Sequence, residues 1–265
     1  MIAMPQVPPA RRDAVRRGES IGGMSLPPGR PPHRPVALLD WDNTLHDGWT
    51  LEPWVRYLVE QGVAPARLGI EGERLTRDYL EGRLDGHSDL AHRANTLYAS
   101  AAAGWLTSDV AGLVGPFLAA VDGPMVFGFV PALLAWLVDH GVEPVVVTGA
   151  PTELVAPYVE PAGGRVVGLT LMESAGRYTG AIRRNPGTAD EKARVGAEVE
   201  GDGHEVVLGA GDTESDLPLL RAGRRQLVVG NTALAAEFPH TSLLIQPRTT
   251  TGDDMRRGLD RLLRG

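Results

Sequence analysis

The feature that most constrains this chain is an alternation that begins at residue 126. Short apolar runs, Pro144-Val-Val-Val-Thr148, Val166 to Met172, Glu205-Val-Val-Leu-Gly209, Gln226-Leu-Val-Val229 and Ser242-Leu-Leu-Ile245, are separated by helix-patterned stretches. Those stretches are Pro131 to His140, Thr152 to Glu160, Ala189 to Glu200, Asp216 to Ala222 and Asp253 to Leu263. A run without polar alternation reads as a strand buried on both faces, which is the lot of strands in a parallel sheet covered by helices. The pattern therefore predicts an α/β fold with a parallel sheet between two helical layers. A further run of this kind, Val36-Ala-Leu-Leu-Asp40, lies far upstream, and Arg177-Tyr-Thr-Gly180 reads as a turn with a short extension.

Between the first two strands lies a long helix-patterned stretch, 50–125, too long for a crossover, so it reads as an inserted helical domain. Its C-terminal part joins an apolar stretch, Ala111 to Val138, that Pro116, Gly123, Pro124, Gly128 and Pro131 interrupt. A membrane-spanning helix needs about 20 uninterrupted apolar residues, so this is read as a helix end, a hinge and a second helix, and no membrane association is expected. Residues 36–49 with 126–265 form the expected core and 50–125 the expected cap. Residues 1–35 hold six arginines and eight prolines, carry +4, and read as a disordered tail, with Met24 as an alternative start. No apolar leader run precedes Val36, which predicts a cytoplasmic protein. The net charge of -7 argues against a nucleic-acid partner. The absence of cysteine excludes a disulfide scaffold, a Cys-ligated zinc site and a thiol nucleophile.

Ligands of open parallel sheets bind beyond the carboxyl ends of the strands. The first strand ends in Asp40-Trp41-Asp42, the second in Thr148-Gly149, and a third runs into Gly211-Asp212-Thr213-Glu214-Ser215-Asp216. Carboxylates gathered so closely need a cation, or one must hold a proton. With oxygen ligands alone the cation expected is Mg²⁺. An acidic pocket with Mg²⁺ and an ammonium suits a phosphoryl group. The ammonium is conspicuous: of 26 basic residues, only Lys192 is a lysine.

In this order the motifs resemble those of the haloacid dehalogenase superfamily. Asp-x-Asp-x-Thr appears as Leu39-Asp40-Trp41-Asp42-Asn43-Thr44-Leu45, the strand-ending Thr as Val145-Val-Val-Thr148-Gly149, the lysine as Asp190-Glu-Lys192-Ala-Arg, and the last motif as Gly211 to Asp216. The segment Met172-Glu-Ser-Ala-Gly-Arg-Tyr-Thr-Gly180 is similar to that of the phosphoserine-phosphatase-like branch (subfamily IB type). The resemblance covers roughly 36–245. It implies a Rossmann-like three-layer core with a helical cap, and a Mg²⁺-dependent phosphatase acting on a small phosphorylated metabolite through an aspartyl-phosphate.

On this resemblance Asp40 is the nucleophile and Asp42 the general acid and base. Thr148, Gly149 and Lys192 bind the phosphate. Asp40, Asp42 through its carbonyl, Asp212 and Asp216 serve the metal. The branch often has Phe or Leu where Trp41 stands, acidic residues where His46-Asp47-Gly48-Trp49 stands, and Gly-Asp-Gly-Ala-Asn-Asp as its last motif. These departures separate the phosphatase expectation from phosphoserine as substrate. Trp49, Trp54, Arg56, Tyr57, Tyr79, His87 and His92 are candidates to line the pocket from the cap. A phosphotransferase or phosphomutase on the same scaffold, and a catalytically idle binding protein, are the alternative readings.

Overall fold

A computed structural model describes residues 34–264. The expected disordered tail lies outside these residues except for Arg34 and Pro35. Pro35 belongs to the first strand, paired with Glu205, and a strand's first residue is a place where proline's missing N–H is tolerated.

Among the described residues one sheet of seven strands organises the fold. The strands β1 (Pro35–Leu39), β2 (Glu143–Pro151), β3 (Arg165–Ser174), β4 (Arg177–Arg184), β5 (Glu205–Gly211), β6 (Arg225–Val229) and β7 (Ser242–Ile245) lie in the order β4-β3-β2-β1-β5-β6-β7. All neighbours are parallel except β3 and β4. β1 is central, and side chains alternate across a strand, so it feeds two cores. Val36 and Leu38 pack with Val195 and Val199 of α7 (Ala189–Gly201) and Leu219 of α8 (Leu217–Ala222). Ala37 and Leu39 pack with Leu133 of α5 (Val130–Asp139), Val155 of α6 (Thr152–Val159) and Leu259 of α10 (Gly252–Arg264). This is why β1 is apolar at every position: both pleats are buried, each large side chain contributing about 1.5–3 kcal/mol. The three-layer α/β expectation is met.

The stretch between β1 and α5 folds as α1 (Leu51–Glu60), α2 (Ala66–Leu80), α3 (His87–Ala101) and α4 (Thr107–Phe117). A π turn at Leu118–Asp122 and a 3-10 turn at Gly123–Met125 form the expected interruption before α5. The apolar cluster of these helices, with Trp54, Leu58, Tyr98 and Phe117, also contains Leu154 of α6 and Leu169 of β3. The helices therefore share a core with one edge of the sheet.

That edge differs from the sequence expectation. The short extension at Arg177 is a full eight-residue strand, β4, antiparallel to β3. Ala175 and Gly176 join them with φ of 50° and 72°, the left-handed pair of a two-residue hairpin turn. Alanine rarely takes the first of those positions, which is why the hairpin is poorly marked. Tyr178 and Ile182 point from β4 onto the helical cluster. A small helix that periodicity does not reveal, α9 (Thr232–Ala236), is capped by Asn231, whose Oδ1 accepts from the Leu234 N–H at 3.0 Å. Among the described residues no helix is long and apolar enough to cross a membrane.

Candidate active site

The sheet register brings three strand ends level. Leu39 pairs with Val146 of β2 and with Ala210 of β5, so Thr148 and Asp212 each fall one step beyond the level of Asp40. The Asp40 N–H donates to the Ala210 carbonyl at 3.1 Å, which continues the ladder one residue past β1. Asp40, Asp42, Thr148, Gly149, Lys192, Asp212 and Asp216 all border one cavity of about 280 Å³. These seven residues, the ones given catalytic, phosphate or metal roles on the family resemblance, thus lie in one place.

Being an even-numbered position, Asp40 faces the α7 side, as Val36 and Leu38 do. There Lys192, on the first turns of α7, donates to Asp40 Oδ1 at 2.7 Å and to Asp216 Oδ1 at 2.5 Å. The Thr188 hydroxyl caps α7 by accepting from the Glu191 N–H. Lys192 is only 2% exposed. The other Asp216 oxygen accepts from the N–H groups of Asp212 and Thr213 and from the Thr213 hydroxyl. Asp216 therefore anchors both the lysine and the loop that carries Asp212. Gly211 permits this loop: a Cβ there would lie 2.2 Å from Asp216 Cβ. Gly149 likewise presses against Gly187, whose Cα a Cβ would meet at 3.0 Å. Asp212 Oδ1 accepts from the Thr44 hydroxyl at 3.1 Å, and Thr148 Oγ1 accepts from the Ala150 N–H at 3.0 Å.

Asp42 is held from the other side. Both the N–H and the hydroxyl of Thr50 donate to Asp42 Oδ1, at 2.9 and 2.6 Å. The Trp41 indole N–H donates to the same hydroxyl oxygen at 2.9 Å. Trp41 is fully buried between His46 and Tyr158, stacked on both rings. Behind it, His46 Nε2 lies 3.0 Å from Asp122 Oδ1 and Nδ1 lies 3.1 Å from the Gly48 carbonyl. A carbonyl only accepts, so Nδ1 carries a proton.

Electrostatics divide the carboxylates. Burial, followed by the charge of Asp216, pushes Asp40 up to about 7 against the pull of Lys192. Burial and the charges of Asp40 and Asp216 push Asp212 up to about 8. Burial also raises Asp42, although the Thr50 hydroxyl opposes it. Of these four aspartates Asp216 alone is lowered: Lys192, with the loop N–H groups, outweighs the cost of burying it. Lys192 is itself raised, because the two carboxylates overcome the desolvation that disfavours its charge. One ammonium does not neutralise this group. Oxygens of Asp40, Asp212 and Asp216 lie within 4.8 Å of one another. Hard carboxylate oxygens in excess over the available cation fit Mg²⁺. Asp40 and Asp212 are the ones free to face it, since both Asp216 oxygens are engaged.

Residues not evident from the sequence complete the site. Asn95 of α3, 3% exposed, donates to the Gly149 carbonyl at 3.1 Å and to Asn185 Oδ1 at 2.7 Å. It ties the helical stretch to the end of β2. His87 Nδ1 lies 3.2 Å from the Ser215 hydroxyl, a second link of this kind. A lone Thr50 or Asn95 carries no sequence signal, because its partners are set by tertiary proximity. Of the cap candidates, Trp49, Arg56 and His87 border the cavity. Tyr79 contacts the rings of Trp49 and His87. Trp54 and Tyr57 belong to the helical apolar cluster, and His92 is exposed and away from the cavity.

No curated protein matches the chain. Among solved structures, a Bordetella pertussis Tohama I protein of unknown function aligns at 22% identity over 81% of this chain and 99% of its own, with a TM-score of 0.65. A substrate-bound phosphoserine phosphatase aligns at 16% identity over 88% and 100%, with a TM-score of 0.58. A cytosolic 5'-nucleotidase IIIB bound to cytidine aligns at 12% identity over 86% of each chain, also at 0.58. These likenesses establish the fold. The sequence model of the haloacid dehalogenase-like hydrolases matches residues 37–221, which span the first motif and the last. The chain belongs to the haloacid dehalogenase-like hydrolase family.

Proposed function

We propose that this hydrolase is a Mg²⁺-dependent phosphomonoesterase acting on a small phosphorylated metabolite, with 36–49 and 126–265 as its core and 50–125 as its cap. The observation that carries the reading is the buried Lys192 clamped between Asp40 and Asp216, with Asp212 beside them. An ammonium fixed against a carboxylate at a strand end can balance a phosphoryl group placed between them.

In the first step a carboxylate oxygen of Asp40 attacks phosphorus in line, forming an acyl phosphate as the bond to the leaving oxygen breaks. Asp42, raised by burial, supplies the proton that the leaving oxygen needs. In the second step Asp42 takes a proton from water, whose oxygen attacks phosphorus, and Asp40 departs as a carboxylate. Thr148, the Gly149 N–H and Lys192 hold the phosphoryl oxygens. Asp40, the Asp42 carbonyl and Asp212, with Asp216 behind them, would hold Mg²⁺, which would supply further charge neutralisation.

Hydrolysis of p-nitrophenyl phosphate, with Mg²⁺ and with a chelator, tests the reading. Turnover is expected with the metal alone. Asp40→Asn is expected to lower kcat by about 10³-fold or more, from the scale of losing a nucleophile, with an unchanged circular-dichroism spectrum. Normal turnover by that variant would remove Asp40 from its role.

A further inference from the structure

The cavity that begins at Asp40 does not stop at the space beside Lys192. It continues between α1, α2 and α3, where its walls are aliphatic: Val55, Val59, Leu68, Leu90, Ala94 and Leu97. Leu68, Leu90 and Val55 are interior residues, no more than 8% exposed. Folded interiors close voids of this size, yet this one is kept open. Gly69 and Gly72, three residues apart on α2, border it, and a Cβ at either would meet nothing within 4 Å. Glycine inside a helix is less stable than alanine, so the pair preserves space at a cost to α2.

Most polar side chains along this slot are committed elsewhere or stand at its rim. Asn95 donates to the Gly149 carbonyl and to Asn185. The Tyr98 hydroxyl accepts from the Trp54 indole N–H. Glu52 and Arg56 face each other at 3.8 Å with exposed side chains, and Glu73 is exposed. At the mouth Ile70 is 68% exposed, which extends the apolar surface outward.

Resting on the phosphomonoesterase reading, we propose that this slot receives the leaving group of the substrate, and that this group is an uncharged alkyl or aryl chain. A zwitterionic amino acid or a sugar would lose its hydration against these walls and could recover hydrogen bonds only from Thr76, His87 and the groups at the rim. A hydrocarbon would gain from burial there. The phosphate end stays with Lys192, and the alcohol product leaves past Ile70.

The test is a series of n-alkyl phosphates from methyl to octyl, with O-phosphoserine and p-nitrophenyl phosphate, assayed on the full chain with Mg²⁺. In parallel, binding of the matching alkylphosphonates is followed by tryptophan fluorescence. Both kcat/KM and affinity are expected to rise about fourfold per methylene, the equivalent of about 0.8 kcal/mol, until the slot is full. Phosphoserine should fall at least about tenfold below pentyl phosphate, the scale of a few buried methylenes. Ala94→Leu and Gly72→Leu should each lower the octyl-to-methyl ratio of kcat/KM. Turnover of p-nitrophenyl phosphate with a flat alkyl series, or with phosphoserine preferred, overturns the slot and spares the phosphatase reading. Chain-length-dependent phosphonate binding without turnover of any phosphate overturns the phosphatase reading and upholds the slot. A flat series in both assays with no turnover overturns both.

Discussion

Lys192 shows how one side chain can be dictated by its surroundings. It is buried with Asp40 at 2.7 Å and Asp216 at 2.5 Å. A compact ammonium fits between two converging oxygens, whereas a guanidinium is larger, planar and forked. In a chain that otherwise uses arginine for its basic residues, that geometry explains the exception. Lys192→Arg is expected to lower kcat/KM by about 10²-fold or more, the scale of losing one oriented electrostatic group. Lys192→Ala is expected to destabilise the fold by about 3–5 kcal/mol, because two buried carboxylates lose their partner. Steady-state kinetics and urea denaturation measure the two effects; arginine activity equal to lysine would show that the ammonium's shape is immaterial. Lys192 and the aspartates were legible because each sits at a strand end or helix start that apolar patterning locates. Thr50 and Asn95 were not, since a lone polar residue acquires meaning only from its neighbours in space.

At the scale of elements, the informative region is where the chain leaves the sheet for α1 and returns to it before α5. His46 lies on the outgoing segment and Asp122 on the returning π turn, and their side chains meet at 3.0 Å in a fully buried pair. Burial works against the charged imidazole, but the hydrogen bond to Asp122 and the charges of Asp42 and Asp122 prevail, so His46 is raised above 6.5. The folded state then holds the proton more tightly than the unfolded chain. The pair's contribution is fully present below pH 6.5 and is lost as pH rises through the elevated folded value. Thermal melts from pH 6 to pH 9 should show a decline that Asp122→Asn flattens; parallel profiles would refute this origin. The sequence marked this hinge through Pro116, Gly123 and Pro124. The β3–β4 hairpin was only half visible, because an Ala-Gly turn lacks the usual Asn-Gly or Asp-Gly signal.

For the whole molecule, the α/β class was readable from alternation alone, whereas the sharing of one apolar cluster by helices and sheet edge was not. Periodicity reports which face of an element is apolar, not which distant element covers it. The site's electrostatics also act globally. Asp40 and Asp212, raised to about 7 and about 8, favour the protonated fold, so metal-free protein should lose stability as pH rises through that range. A cation that binds only the folded state at 100 times its Kd stabilises by about 2.7 kcal/mol. That corresponds to a rise in Tm of about 5–10 °C for a domain of this size. Differential scanning fluorimetry should show the Mg²⁺ increment, larger at pH 8.5 than at pH 6.5 and abolished by chelation. Equal increments at both pH values would contradict the electrostatic account.

The central place of β1 has a consequence for how the protein is made. Its partners arrive late: Leu38 waits for Val145 on one side and Gly209 on the other, and Asp40 waits 152 residues for its lysine. Synthesis runs from the N-terminus, so the candidate nucleophile is among the first residues of the sheet to emerge and among the last to be enclosed. A nascent chain that has not yet reached Asp216 holds Asp40 without its lysine clamp complete. Assembly of the lysine clamp around Asp40 is therefore coupled to completion of the sheet.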